Sequence, residues 1–519
     1  MADLNFARGP DRREFLTRCA ALGGATLVGV KRGRGRSVRF RAYPFTLGVA
    51  SGDPAPQGLV LWTRLAPEPL TPSGGMLPQN VTVRWEIAQD ERFSRGLLRG
   101  DVTAVPSLAH AVHVEVNGLQ PDREYWYRFI AGDESSPAGR TRTAPLGTDL
   151  PEALRFAFAS CQHYEQGFFT ALRHLAAEDI RFVVHLGDYI YESGATPDRP
   201  RRHEGDEIMT LDEYRQRYAL YKLDADLQAA HAALPWIVTW DDHEVDNNYA
   251  GDRDENGTPP PEFLRRRAAA YQAYYEHMPV RRGARPDGPN ARLYRRLRFG
   301  RLLDLHVLDG RQYRTDQPCG DGRKPRCADA FDARATLLGR AQEAWLEQGL
   351  GQSNARWNAI ANQVPLSQID NEPGENASYS MDRWDGYVAA RSRLLQRLRA
   401  RRPNPPIVIT GDTHFSLAGE LRPEFGNPAS PVVGVEFIGT SLSSGGDGQD
   451  MADFGQRFLD ANPDLRFFNN QRGYVRCVVT PREWQADYRV VDFVTRPGSP
   501  ITTRASFTVL DGRPGLQRA

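Results

Sequence analysis

Six short apolar runs in this sequence end abruptly in side chains that can bind a cation. The groups that follow the runs are Cys161, Asp188, Asp241 with Asp242, Asp309, Asn362 with Gln363, and Asp412. Each run resembles a buried strand, and in an open α/β sheet ligands bind just beyond the carboxyl ends of the strands. Because six such strands would deliver a thiol, carboxylates and amides to one edge, the sequence predicts a shared site there.

The segment from Gly187 to Tyr191 offers ligands suited to iron. The carboxylate of Asp188 can bridge two metal ions, and Tyr191 can return its phenolate to the same centre as the chain turns. Phenolate and thiolate are both strong donors to trivalent iron, and the thiol of Cys161 ends the preceding apolar run. Each signal is weak by itself, because Gly-Asp turns are common and an isolated cysteine is more often a buried structural thiol.

A second acidic segment runs from Asp241 to Asn248. The adjacent carboxylates of Asp241 and Asp242 repel each other unless a cation lies between them, although a helix N-cap is the structural alternative. His243 is a candidate for stabilising a phosphoryl oxygen or protonating a leaving group. Asn247 and Asn248 offer amide oxygens, which are hard ligands suited to calcium.

A third pair of donors, Asp412 and His414, follows the last apolar run. Residues two apart on an extended segment face the same way, so both side chains can reach one pair of metal ions. Taken alone, the segment is also compatible with an ordinary exit from a strand.

The elements that would position these groups fall into two parts. In residues 42–145, short segments alternate apolar with polar residues between turn signals, as in Val81–Ile87. That pattern predicts a small β-sandwich of the immunoglobulin or fibronectin kind. In residues 151–515, apolar runs alternate with helical stretches such as Leu211–Leu223, which predicts an α/β catalytic domain. A chain of 519 residues is also long enough for two cores.

Hydropathy excludes one class of protein, and the overall charge gives no support for another, although a local basic cleft stays open. The 66 Lys and Arg residues balance 65 Asp and Glu residues, which leaves a formal charge of +1. That balance gives no whole-molecule electrostatic case for binding nucleic acid or an anionic membrane. No apolar run approaches the roughly 20 residues that a membrane-spanning helix needs, so an integral membrane protein is excluded.

Residues 1–36 resemble a twin-arginine export signal. Arg12 and Arg13 are followed by Phe15-Leu16 and by a mildly apolar segment, residues 19–30. The apolar segment is short and no clear cleavage site follows it, so a disordered basic tail is the alternative. We expect recognition by the twin-arginine export machinery and a periplasmic, cell-wall or extracellular location.

Cys319 and Cys327 bracket a polar loop rich in Gly, Asp, Lys and Pro. They are candidates for a local disulfide, which an oxidising compartment would favour. Two unrelated surface thiols are the alternative.

Taken in order, these motifs resemble those of the calcineurin-like metallophosphoesterases and, more narrowly, of the PhoD family of alkaline phosphatases and phosphodiesterases. The motifs are Cys161, Gly187-Asp188-x-x-Tyr191, Asp241-Asp242-His243-Glu244, Asn362-Gln363 and Gly411-Asp412-Thr413-His414. The resemblance implies an α/β fold, with an α+β sandwich as catalytic core and an all-β N-terminal domain. It also implies an exported alkaline phosphatase that hydrolyses phosphate mono- or diesters.

The same resemblance implies one ferric ion (Fe3+) with calcium (Ca2+). The residues it assigns to iron, with Asp188 bridging, are Cys161, Asp188, Tyr191 and His414. The residues it assigns to calcium are Asp242, Asn248 and Asp412, with Asp241 in reserve. The broader superfamily has Asn in place of Asp242 and His in place of Asp412. Oxygen ligands in place of nitrogen ligands shift the preference from zinc toward hard ions.

The catalytic candidates are His243 and Arg311. A guanidinium matches two phosphate oxygens, so Arg311 is a candidate phosphate contact, although a surface arginine is equally compatible. Two other functions stay open at this point. One is a phospholipase D-like phosphodiesterase that acts on lipids or teichoic acids, and the other is a catalytically inactive secreted binding protein.

Overall fold

The computed structural model describes residues 38–372, 376–400 and 406–518. The predicted twin-arginine signal, residues 1–36, lies outside the described residues. Among the helices in the described ranges, none is both long and apolar enough to cross a membrane.

Strands predominate in the described part of the chain. The strands are β1 Val49–Ala55, β2 Gly58–Arg64, β3 Val81–Ala88, β4 Leu98–Ala104, β5 Ala111–Asn117, β6 Glu124–Ala131, β7 Glu134–Ser135, β8 Gly139–Arg142, β9 Leu154–Ala159, β10 Val183–His185, β11 Pro235–Val238, β12 Arg295–Phe299, β13 Leu303–Val307, β14 Arg323–Lys324, β15 Trp357–Asn362, β16 Tyr379–Ser380, β17 Ile407–Thr410, β18 Ser416–Leu421, β19 Gly434–Ile438, β20 Leu465–Asn469, β21 Arg472–Val479, β22 Glu483–Val491, β23 Ile501–Leu510 and β24 Arg513–Arg518. The α-helices are α1 Thr170–Ala176, α2 Leu211–Lys222, α3 Ala225–Ala233, α4 Pro260–His277, α5 Gly339–Gln352, α6 Val388–Arg399 and α7 Gly455–Ala461.

Two large sheets pack against each other. One has the strand order β24-β23-β22-β21-β9-β10-β11-β1-β2-β5, and the other has the order β12-β13-β15-β17-β19-β18-β20. Phe158 and Ile237 of the first sheet share one apolar cluster with Leu305 and Ile409 of the second. Alternate residues of the same strands, such as Trp236, face helices on the outer side, as the two-residue period of a strand requires.

Helices cover both outer faces of this pair of sheets. Helices α1 to α4 pack on the first sheet, and α5 and α6 pack on the second. The observed architecture is therefore mixed α/β and rich in sheet, as the sequence predicts.

All six apolar runs form strands, but they divide between the two sheets. Strands β9, β10 and β11 are parallel neighbours in one sheet, and β13, β15 and β17 are parallel neighbours in the other. The sequence predicts one shared edge, whereas the structure forms a rim from the carboxyl ends of both sheets. At that rim Ser160, which follows β9, forms an isolated parallel β-bridge with Ser441, which follows β19 of the other sheet.

The N-terminal segment is all-β, as predicted, apart from a short 3₁₀ turn at Pro106–Leu108. Its strands β1, β2 and β5 extend the first large sheet through the parallel pair of β1 with β11. Every residue of β2 is buried, so this strand needs cover on both faces. Strands β3, β4, β6, β7 and β8 form a small sheet of their own. The domain limits 42–145 and 151–515 stay predictions.

Candidate metal centre

Donor atoms from four strand ends meet at the rim. Those of Cys161, Asp188 and His414 lie within 4.8 Å of one another, and so do those of Asp188, Asp242 and His243. Asp188 belongs to both groups and therefore stands between them. This is the position that a bridging carboxylate requires.

Unusual backbone conformations bring these side chains together. The residues with left-handed φ include Cys161 at 60°, Asp188 at 56°, Asn248 at 52°, Asp412 at 67° and His414 at 61°. Such a conformation costs on the order of 1–3 kcal/mol for a non-glycine residue and clusters at functional sites. Its recurrence at five candidate ligands indicates that the rim is built to turn donors inward.

Gly187 permits the closest approach between two of the donor loops. Its φ is 114°, and a Cβ there would lie 2.4 Å from the backbone nitrogen of Asp241. Only glycine fits at this point, and so the loop that carries Asp188 can lie against the loop that carries Asp241 and Asp242.

Tyr191 is fixed at the centre of the cluster. Its Oη donates to Asp188 Oδ2 at 2.9 Å, lies 3.3 Å from His414 Nε2 and accepts from Ser444 Oγ at 2.7 Å. The phenol ring lies between the imidazoles of His163 and His243, with ring centroids 4.3 Å and 4.1 Å away. The position of Oη beside Asp188 and His414 fits a ligand role for this tyrosine.

The electrostatics of the cluster favour a bound cation. Burial, followed by the charge of Asp188, raises the pKa of Cys161 and of Tyr191 well above their ordinary values. Burial also raises the pKa of Asp188 well above its ordinary value. The charge of His243 acts against this increase, and the charge of Asp242 adds to it. Oδ1 of Asp188 is buried with no hydrogen-bond partner among the described residues. A multivalent cation would relieve this accumulation of buried anionic groups.

Of the residues assigned to calcium, Asp242 shares the second donor group with Asp188. The backbone N–H of Asn248 donates to Asp242 Oδ2 at 2.8 Å, and its side-chain Nδ2 donates to Asp321 Oδ2 at 3.1 Å. Arg383 donates from Nε to Asp412 Oδ2 at 2.7 Å. Because Asn248 uses its Nδ2 for the bond to Asp321, its amide oxygen is the atom that it could offer to a cation.

Asp241 and Arg311 occupy a different environment from the one predicted. Arg311 is fully buried, donates to Asp241 Oδ1 and to Asp382 Oδ1, and lies 3.5 Å from Asp242 Oδ1. The pKa of Asp241 is raised by burial. Because three carboxylates surround its guanidinium, Arg311 is arranged to hold the acidic loop. Its role as a phosphate contact stays a prediction that this arrangement does not favour.

Asn362 and Gln363 also differ from each other. The amide of Gln363 accepts from the backbone of Gly310 and donates to Thr239 Oγ1 and to the carbonyl of Leu308. Oδ1 of Asn362 is buried and has no partner among the residues described. Of the two, Asn362 is therefore the one with an oxygen to offer to a cation.

Comparisons of the sequence with family models match most of the chain to one family. Residues 156–488 match the family model described as PhoD-like phosphatase, and residues 31–145 match the model of its N-terminal domain. The chain is a member of the PhoD-like phosphatase family. Alkaline phosphatase D of Bacillus subtilis strain 168 is 48% identical over 520 residues, which cover 98% of this chain and 89% of that protein.

A solved structure of PhoD is also similar to this PhoD-like phosphatase. It superposes with a TM-score of 0.91 and 49% identity, and the match covers 93% of each chain. The level of identity and the near-complete coverage make the chain a phosphoric ester hydrolase.

Two glutamates of this PhoD-like phosphatase were missed as site residues in the sequence. Glu192 accepts from His243 Nδ1 at 2.7 Å and orients that imidazole. Glu244 accepts from the backbone N–H groups of Asp188, Tyr189 and Asp241 at 3.1, 2.7 and 2.9 Å. Glu244 belongs to the motif Asp241-Asp242-His243-Glu244, whereas the only local signal for Glu192 is its position next to Tyr191.

His163 and Ser444 were missed as well. His163 packs on the ring of Tyr191, and Ser444 Oγ donates to the carbonyl of Cys161 at 2.8 Å. His163 follows Cys161 by two residues, but a histidine near a cysteine carries no specific signal without the fold.

Cys319 and Cys327 form a disulfide, with their Cα atoms 5.8 Å apart. The loop they close carries Asp321, which accepts from the Asn248 amide. The disulfide loop therefore contacts the candidate calcium ligands.

Proposed function

We propose that this PhoD-like phosphatase is a metal-dependent alkaline phosphatase that hydrolyses phosphate mono- or diesters at an iron–calcium centre. The observation that carries the proposal is the convergence of Cys161, Asp188 and His414 around the phenol of Tyr191. A thiol, a phenol, a carboxylate and an imidazole in one buried cluster suit trivalent iron better than calcium.

The donors fit two different ions. Iron would be held by Cys161, Asp188, Tyr191 and His414, with Asp188 bridging. Calcium would be held by Asp242, Asn248 and Asp412, with Asp241 in reserve and Asn362 as a further oxygen donor. The all-oxygen character of the second set is what a hard ion prefers. When bound, the ions supply Lewis acidity toward the phosphoryl oxygens.

His243 is suited to donate a proton or a hydrogen bond at the phosphoryl group. Its Nδ1 is held by Glu192 at 2.7 Å, and a ring nitrogen lies within 4.8 Å of the carboxylates of Asp188 and Asp242. Burial opposes its charge, but Glu192, Asp242 and Asp188 raise the pKa of His243 well above its ordinary value. A protonated imidazole can stabilise a phosphoryl oxygen or protonate the leaving alcohol.

Iron bound by Tyr191 would give the protein a visible colour. We expect the purified wild type to contain iron and calcium and to show a tyrosinate-to-iron charge-transfer band. The Tyr191→Phe variant should lose that band and keep the fold, because the substitution removes the phenolate alone. Elemental analysis and visible absorption spectra measure the two quantities.

Tyr189→Phe is the matched control for the colour. Tyr189 is equally buried, but its hydroxyl lies 2.8 Å from His231 Nε2 in the core rather than at the rim. This variant should keep the band. A colourless wild type that contains only zinc would contradict the iron assignment.

The class of ester is the open part of the proposal. A phospholipase D-like phosphodiesterase that acts on lipids or teichoic acids would use the same metal ligands. We expect parallel assays to show hydrolysis of a phosphate monoester, of a bis-ester, or of both. Turnover of the monoester alone would exclude the diesterase, and turnover of phosphatidylcholine would favour the lipid enzyme. Absence of both metal and turnover would favour an inactive binding protein.

We propose export by the twin-arginine machinery to the periplasm, the cell wall or the extracellular space. The paired arginines Arg12 and Arg13 support this route. The Cys319–Cys327 disulfide supports an oxidising compartment, where such bonds persist.

A further inference from the structure

The guanidinium of Arg383 has an open end beside the candidate ligand Asp412. Its Nε donates to Asp412 Oδ2 at 2.7 Å. The whole residue is only 8% exposed. Its Nη1 is buried and has no hydrogen-bond partner among the residues that the structure describes. Leaving a buried, charged donor unpaired is unfavourable. The arrangement therefore indicates a ligand that accepts hydrogen bonds at this end.

Arg311 also has one guanidinium nitrogen, Nη2, with no hydrogen-bond partner among the described residues, but three carboxylates lie around its guanidinium. Arg311 is bonded to Asp241 and Asp382, and Arg391 donates to Asp385 Oδ1 at 2.6 Å and to Gln368 Oε1. Arg383 differs because Asp412 is its only carboxylate partner among the described residues.

A second guanidinium, that of Arg323, lies near Arg383. Burial is the main cause that lowers the pKa of Arg323, and the nearby charge of Arg383 lowers it further. The charge of Asp412 acts in the opposite direction. Arg383 and Arg323 therefore both lie near Asp412, on which the carboxylates of Asp242 and Asp382 also act. Arg323 is exposed, whereas Asp412 is partly buried.

We propose that the open end of Arg383 binds the phosphoryl group of the substrate, and that inorganic phosphate binds there as the product. A guanidinium end can contact two phosphate oxygens at once. The contact would hold the phosphoryl group against Asp412, on the calcium side of the centre. This inference rests on the proposed function, and it gives Arg383 the role that the sequence suggested for Arg311.

The test uses the metal-loaded wild type and Arg383→Lys. Lysine keeps a positive charge beside Asp412 but lacks the planar fork of donors. We expect the dissociation constant for inorganic phosphate, measured by calorimetric titration, to rise about tenfold, because a hydrogen-bonded contact to an anion is lost. KM should rise by a similar factor, while the iron and calcium contents stay at wild-type values. Arg383→Gln serves as a second variant should the lysine variant fail to fold.

Arg422→Lys is the matched control. Arg422 also donates from Nε to an aspartate, Asp464, at 2.9 Å, and its side chain is 12% exposed, but it lies at the far end of β18 from His414. This variant should bind phosphate as the wild type does.

Two results would overturn the inference. One is wild-type affinity for phosphate in Arg383→Lys, and the other is an affinity loss matched by loss of metal, which would mean that Arg383 only positions Asp412. Failure of the proposed function is distinguishable from both, because the wild type itself would then hydrolyse no phosphate ester.

Discussion

The Asp188→Asn variant is expected to lose phosphatase activity by on the order of a thousandfold or more, because two metal ions that share a carboxylate contribute several kcal/mol to stabilising the transition state. Asp188 is the one residue that belongs to both donor groups, and one of its oxygens has no protein partner among the described residues. Asparagine is nearly isosteric but presents an amide nitrogen in place of one oxygen. It therefore removes the bridge without creating a cavity.

The measurement is kcat/KM together with iron and calcium content. Asp198→Asn is the control, since Asp198 also has a left-handed φ, 59°, but is exposed and makes no part of the cluster. The control should keep wild-type activity and metal. Full metal content and activity in Asp188→Asn would contradict a bridging role.

Much of the catalytic fold is predictable from local patterns. The run at residues 156–160 predicts a strand, and the structure has β9 at Leu154–Ala159; the helix predicted at 211–223 is observed as Leu211–Lys222. Both succeed because a continuous apolar run and a helical stretch are local signals; in the structure Thr210 also caps the helix. The donors at the strand ends are predictable for the same reason.

Long-range pairing carries no such signal. Ser51 pairs with Pro235, and nothing near either residue identifies its partner. This pairing joins β1, β2 and β5 to the catalytic sheet, a connection that local patterns do not predict.

The arginines show the same limit within the site. In a chain with 66 Lys and Arg residues, the sequence cannot distinguish Arg311 from Arg383. Only the tertiary structure surrounds Arg311 with three carboxylates and leaves Nη1 of Arg383 with no hydrogen-bond partner among the described residues.

The Glu244→Gln variant is expected to bind its metals about 10- to 100-fold more weakly, because residues that orient metal ligands commonly contribute that much to affinity. The Glu244 carboxylate accepts from three backbone N–H groups, which belong to Asp188, Tyr189 and Asp241. A glutamine has one acceptor oxygen in place of two, and its amide N–H groups would face backbone donors. At least one buried N–H then lacks an acceptor, which lowers the free energy of unfolding by about 1–3 kcal/mol.

Glu436→Gln separates the effect on metal from the effect on stability. Glu436 is also fully buried and accepts from the backbone N–H groups of Leu366 and Ser367 and from the Thr410 hydroxyl, none of which is a candidate ligand. Both variants should unfold at lower denaturant concentration than the wild type, whereas only Glu244→Gln should release iron and calcium at lower chelator concentration. Equal metal retention in the two variants would mean that Glu244 stabilises the fold without orienting the ligands. A greater loss of metal from Glu244→Gln than from Glu436→Gln would show that the hydrogen bonds from Glu244 to the backbone of the ligand loops contribute to metal affinity.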